Sequence, residues 1–274
     1  MNDITIIIPI HNLNDTTKTT LKTAVDSVLK NRQTYSYGKL KTVMVIPSNF
    51  EHLEYLNSEY VNKNEDFFIC ENNEKTDFCN QINKGVCFIK ENNLSEFFSI
   101  LEYDDEYTSK WFKMAREYYF GNEDVSVFLP VNVQCDKDKT NWGFCNEVVL
   151  ASSFSNEIGF IDKDCLENCS SFNLTGGIFK LQDFIEMGGL KPSIQIAFNY
   201  EFLLRMTNKN YKVYVVPKEG YIHTLGRDGS LVDWCDKNMT DETITKWFEL
   251  AKREYVYIED RNKGITQSKK EKLK

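Results

Sequence analysis

The residues best equipped for chemistry form one short run, Leu101-Glu102-Tyr103-Asp104-Asp105-Glu106. Four carboxylates close an apolar stretch, residues 97–101, that is short enough to be a buried strand. Acidic groups crowded at a strand mouth repel one another and resist desolvation. A hard divalent cation relieves both problems, because it takes carboxylate oxygens and fills its remaining positions with water and substrate phosphate. The run therefore points to a metal-held phosphate substrate. The alternative is an acidic loop leading into the next helix, since acidic residues suit a helix N-terminus.

The elements around this run must deliver it to a common edge. Ile4-Thr5-Ile6-Ile7-Ile8-Pro9-Ile10 is a β-branched run, apolar on both faces, as central strands of parallel sheets are. Leu21, Ala24, Val25, Val28 and Leu29 recur at helical spacing over 15–31, and Asp15 can cap the start. A second strand is expected at 42–46 and a third at 67–70. Phe78, Ile82, Val86 and Ile89 mark one face of a helix that precedes the acidic strand. Strands alternating with helices predict a mostly parallel, doubly wound α/β sheet, with ligands beyond the carboxyl ends of its strands. The second half is less regular. It reads as a helix around Trp111–Tyr119, a strand at 125–131, an irregular segment over 132–170, a helix over 196–207, a strand at 212–217, a loop over 223–230 and a final helix over 243–258.

Composition narrows the classes. The chain has 274 residues, 41% of them hydrophobic, enough for one large domain or two modest ones. A net charge of -8 argues against non-specific nucleic-acid binding. Basic residues gather at the end, in Lys269, Lys270, Lys272 and Lys274, a tail expected to be disordered and able to make weak contact with anionic lipid. Eight scattered cysteines with no CxxC pair read as reduced thiols in a cytoplasmic protein. No stretch approaches about eighteen apolar residues, so no transmembrane segment is expected.

Several pieces coincide in order. They are the opening strand with Pro9 and Asn12, Asn83-Lys84-Gly85 before the acidic strand, the carboxylate run, and Gly188-Gly189-Leu190 before a helix ending in Arg205. Up to about residue 230 the chain resembles family 2 glycosyltransferases. That resemblance implies a GT-A (Rossmann-like) fold, a mostly parallel sheet flanked by helices with a smaller mixed region on the acceptor side. Residues 1–106 would form the nucleotide-sugar half, 107–258 the acceptor half, and 259–274 the tail. It also implies a nucleotide-diphosphate sugar donor, Mn2+ or Mg2+, and inverting transfer to a hydroxyl of a glycan or other acceptor.

The same resemblance distributes roles. Asp104 falls where the direct metal ligand is expected. Glu102 would hold a ribose hydroxyl or a water on the metal, Asp105 would serve as a second or alternate acid, and His223 would be a late metal or diphosphate contact. Pro9, Ile10, His11 and Asn12 would line the base pocket, with Asn83, Lys84 and Tyr103 near the donor. Arg227 and Ser230 would meet phosphate oxygens, and Gly188 and Gly189 would face the acceptor. Two departures stand out. Ile46-Pro47-Ser48-Asn49 lacks the acid expected after the second strand, and Asn199 occupies the usual position of the catalytic base. An amide cannot take a proton, so Glu201, two residues on, becomes the expected base. The same departures motivate a second reading, a non-catalytic binder of sugar nucleotides or glycans. A nucleotidyltransferase is less compatible, because His11-Asn12-Leu13-Asn14-Asp15 is not a Gly/Lys-rich phosphate loop.

Overall fold

The opening strand β1 (Ile4–Pro9) is buried over all six residues, the consequence of a β-branched run apolar on both faces. It sits between β2 (Leu40–Pro47) and β4 (Phe97–Ile100), and both pair with it in parallel. β3 (Phe67–Asn72) extends the parallel ladder beyond β2. The computed structural model describes residues 1–194, 196–226 and 231–262, without side chains for 231, 232, 236 and 256–262. Arg227, Ser230 and the basic tail past residue 262 lie outside the described residues.

Helices cross over between the strands: α1 (Asp15–Thr34), the short α2 (Leu53–Leu56) leading into a π turn (Asn57–Val61), and α3 (Phe78–Glu91). Asn14, not Asp15, caps α1, in a reciprocal box with Thr17. Gly85 lets α3 lie directly on the sheet. A Cβ there would stand 2.8 Å from Ile7 Cγ2 and 3.1 Å from Val45 Cγ2. The rest of the chain supplies β5 (Glu106–Tyr107), α4 (Trp111–Tyr119), β6 (Val125–Cys135), β7 (Asn141–Cys145), α5 (Lys163–Asn168), β8 (Ile178–Lys180) and α6 (Leu181–Glu186). It ends with α7 (Phe198–Asn208), β9 (Lys212–Thr224), α8 (Leu231–Asn238) and α9 (Asp241–Asn262).

The nine strands among the described residues join one sheet in the order β3-β2-β1-β4-β8-β6-β9-β5, with β7 paired to the far end of β6. Antiparallel β8 joins the parallel first half to β6 and β9. Alternating residues divide the core between the two faces. Ile7, Val43, Val45, Phe98 and Ile100 pack with α3, α6 and α7, while Ile4, Ile6, Ile8, Met44 and Ile46 pack with α1 and α4.

Two sequence expectations change here. The strand expected at 212–217 continues to Thr224, so His223 stands on a strand and not in a loop. The paired register shifts between Leu129 and Val131 of β6, opposite Val215 and Glu219 of β9. That irregularity absorbs Pro130 and Pro217, which would otherwise interrupt a ladder. The irregular stretch over 132–170 also contains order: β6 runs on to Cys135, and β7 folds back on it.

Candidate active site

The acidic run leaves β4 through a tight turn. The Asp105 N–H donates to the Glu102 carbonyl at 3.1 Å, so positions 102 and 105 stand side by side. β5 then pairs with β9, Glu106 opposite Ile222, and brings the turn against the end of β9. Tyr221 is fully buried and its hydroxyl accepts the Glu102 N–H at 3.1 Å. Asp105 is buried beneath the turn. Its Oδ1 accepts the Thr224 N–H at 2.8 Å and its Oδ2 accepts from His223 Nδ1 at 2.9 Å.

Glu102, Asp105 and His223 each offer a ligand atom, and the three atoms lie within 4.8 Å of one another. Oxygen ligands of a small octahedral cation stand about 2.1 Å from it, so opposite ligands are about 4.2 Å apart. Two carboxylates and an imidazole are ligand types that manganese takes, once the three atoms draw in from this spacing, and each Asp105 oxygen keeps a second lone pair beside its hydrogen bond. This cluster differs in one member from the expected set of Asp104, Glu102 and His223. The carboxylate beside Glu102 and His223 is Asp105, because the turn returns position 105 and not 104 to the neighbourhood of 102. Asp104 is buried and does not line the cavity described below.

Burial pulls the His223 imidazole down. Its hydrogen bond to Asp105 and the negative charges of Asp105, Glu102 and Asp104 outweigh that and push it up to about 9. The ion pair is therefore closed at neutral pH when no cation competes for it.

Beside this cluster opens a cavity of about 1010 Å³. Pro9 and His11 line it from the end of β1, Glu102 and Tyr103 from the acidic turn, and His223 from β9. The volume stands at the upper end of the range for a small-molecule site. Of the other residues expected at the site, Ile10 is wholly buried in the core, and Asn12, Asn83, Lys84, Gly188 and Gly189 do not line the cavity.

Asn83 has another task. Its Nδ2 donates to the Leu190 carbonyl at 2.8 Å and its Oδ1 accepts the Leu190 N–H at 2.9 Å. Arg205 holds the same loop from the other side, through the carbonyls of Met187 and Gly189. Gly189 has φ +70, and a Cβ on it would fall 2.4 Å from Asn83 Oδ1. Gly188 has φ +81 but open space, with Arg205 Nη1 at 3.8 Å. Gly189→Ala is thus expected to cost about 1–3 kcal/mol of stability from backbone strain and more from the clash, against strain alone for Gly188→Ala. Urea midpoints of the two variants check that order.

Glu201, the expected base, is fully buried and does not line the cavity. Its Oε1 faces Lys191 Nζ at 2.9 Å and accepts from the Tyr255 hydroxyl, and its Oε2 faces Arg205 Nη2 at 2.9 Å. This carboxylate, held by two cations and a phenol beneath the surface, does not face the cavity as the expected base would. Asn199 does line the cavity, and its Oδ1 is buried without a hydrogen-bond partner.

Residues not singled out in the sequence also reach the cavity, among them Lys75, Asp77, Phe172 and Trp234. Lys75 and Asp77 belong to the turn after β3, which buried Asn72 organises. Asn72 Oδ1 accepts the Glu74 N–H and its Nδ2 donates to the Lys75 carbonyl, both at 3.1 Å. The one sequence signal for Asp77 is its place before the apolar helix face that starts at Phe78, a cap position.

No family model matches the chain, and no curated protein matches it in sequence. Solved structures do match in three dimensions. S. aureus TarS 1-349 in complex with UDP superposes with a TM-score of 0.60 at 13% identity, over 92% of this chain and 65% of that one. GalNAc-T7 with UDP, GalNAc and Mn2+ gives 0.58 at 16%, over 83% and 44%. The mannosyltransferase PcManGT from Pyrobaculum calidifontis, in complex with GDP-Man and Mn2+, gives 0.59 at 12%, over 82% and 58%. The fold is GT-A. This chain spans less than two thirds of the length of each of these GT-A structures. Among the described residues no helix is long and apolar enough to cross a membrane.

Proposed function

We propose that the protein is a metal-dependent glycosyltransferase that moves a sugar from a nucleoside-diphosphate sugar to an acceptor hydroxyl with inversion. The observation that carries this reading is the Glu102, Asp105 and His223 cluster at the edge of a large cavity. It is supported by a fold similar to that of proteins solved with UDP, or with GDP-Man and Mn2+.

Glu102, Asp105 and His223 would hold the cation. When bound, a divalent cation offsets the negative charge that develops on the diphosphate leaving group. The side chains around it position the substrates. Pro9 and His11 bound the nucleoside end, Lys75 offers an ammonium to phosphate oxygens, and Phe78, Phe172, Phe198 and Trp234 give the cavity apolar walls on which sugar rings can rest. Arg227 and Ser230 remain proposed phosphate contacts outside the described residues. The acceptor is a hydroxyl of a glycan, a lipid or a protein-linked sugar.

Cation and proton compete at His223, since a metal takes the neutral imidazole. Manganese binding is expected to release a proton below pH about 9, and the apparent affinity to fall as pH falls. Calorimetry in buffers of different ionisation enthalpy measures the protons released.

The test of function is nucleoside-diphosphate release from a panel of UDP- and GDP-sugars with manganese, with and without simple glycan acceptors. Metal-dependent release supports the reading. A second reading, a sugar-nucleotide or glycan binder without turnover, is favoured by the amide at Asn199 and the locked Glu201. Donor binding with no release on long incubation would establish it in place of the first.

A further inference from the structure

With Glu201 sequestered, the proton of the acceptor hydroxyl needs another destination. The described residues that line the cavity include two carboxylates, Glu102 and Asp77. Glu102 belongs to the cation cluster. Of the other lining groups, His11 stands with Pro9 at the end of β1, and the two thiols are poor proton acceptors. Burial pushes the Cys79 and Cys145 thiols up to about 12, and His223 belongs with Glu102 to the cation cluster.

Asp77 is exposed to the cavity from the N-cap of α3. Its Oδ1 accepts the Asn80 N–H at 3.0 Å and its Oδ2 accepts from Asn80 Nδ2 at 2.6 Å. The carboxylate is thereby fixed in orientation while each oxygen keeps a free lone pair. The next residue, Phe78, packs on Phe198 with ring centroids 5.4 Å apart. That contact joins the start of α3 to the start of α7, where Asn199 also lines the cavity.

We propose that Asp77 is the general base of the transfer reaction. This rests on the glycosyltransfer reading. The acceptor O–H bond breaks, its proton passes to an Asp77 oxygen, and its electron pair forms the new bond to the anomeric carbon. The bond from that carbon to the diphosphate oxygen breaks on the opposite face, and the nucleoside diphosphate leaves with the electron pair. The resting proton inventory is restored when Asp77 loses the proton to solvent.

The test compares Asp77→Asn, Asp77→Ser and His11→Gln with wild type, using the sugar nucleotide that wild type turns over. Asn and Ser are competent N-caps, so α3 and the fold are retained, as melting temperature checks. A positioned base contributes about 10²–10⁴-fold, so kcat of Asp77→Asn should fall by that factor, with nucleotide affinity unchanged by calorimetry. Added formate should restore part of the turnover of Asp77→Ser, a rescue that a purely structural cap would not give. Unchanged kcat in Asp77→Asn, or the same loss in His11→Gln with none in Asp77→Asn, overturns the assignment and leaves glycosyltransfer standing. Wild type that binds donor without releasing nucleoside diphosphate overturns both.

Discussion

Asp105→Ala is expected to lower manganese affinity by roughly 100-fold or more, since loss even of a group outside the direct ligand shell costs 10–100-fold. Asp104→Asn is expected to leave it near that of wild type. The contrast follows from the turn at the end of β4, which returns position 105 to Glu102 while Asp104 stays out of the cavity. The free Mn2+ signal in electron paramagnetic resonance, titrated with and without UDP, measures the affinity directly. Equal losses in the two variants, or a loss only in Asp104→Asn, would return the metal to the set read from sequence. Asp105→Ala also has a signature without metal. His223 is raised from its ordinary 6.5 to about 9 by its pair with Asp105. A raised histidine stabilises the fold fully below pH 6.5 and loses that contribution as pH rises through about 9. The variant should therefore fall furthest below wild type in melting temperature at acidic to neutral pH, and the gap should narrow in alkali.

The legible part of this protein is the part built from period. β1, β2, β3 and the α3 face could be read because β-branched runs and the Phe78, Ile82, Val86 and Ile89 spacing report burial directly. The carboxylate run could be read because four like charges at a strand end need a reason. What could not be read depends on chain reversal and register. Whether Asp104 or Asp105 stands beside Glu102 and His223 is decided by one backbone hydrogen bond across the turn, which side-chain spacing does not report. His223 looked like a loop residue because Pro217 and Gly220 are strand breakers, and the irregular pairing of β6 with β9 that tolerates them is a property of two distant segments. Asn83-Lys84-Gly85 lies in the expected helix, and two of its residues have packing tasks that the sequence does not report. Gly85 serves sheet packing, and Asn83 serves the loop at Leu190. Asp77 was invisible as a site because a cap residue has a sufficient local reason to exist.

The second large effect concerns Glu201, and its sign separates support from chemistry. Glu201→Ala removes a fully buried anion and leaves Arg205, itself 7% exposed, beside Lys191 without their shared counter-charge. Breaking a buried pair at one partner costs about 3–5 kcal/mol, because the remaining charge is neither solvated nor neutralised. The loss should appear as a lower urea midpoint with an unchanged slope. The same network explains where the damage spreads. Arg205 holds the Met187 and Gly189 carbonyls, and Lys191 and Tyr255 tie the loop after Gly189 to α9 through Glu254 and Glu201. Losing the anion should therefore loosen the loop and the α9 contact together. Faster amide exchange at Leu190 and along α9 in Glu201→Ala, with exchange in β1 to β4 unchanged, is the expected pattern. A base would behave differently: its removal would abolish turnover while leaving midpoint and exchange intact. If Glu201→Ala folds as stably as wild type but is inactive, the buried network is not what Glu201 is for, and the proton must pass through it by an opening of α9.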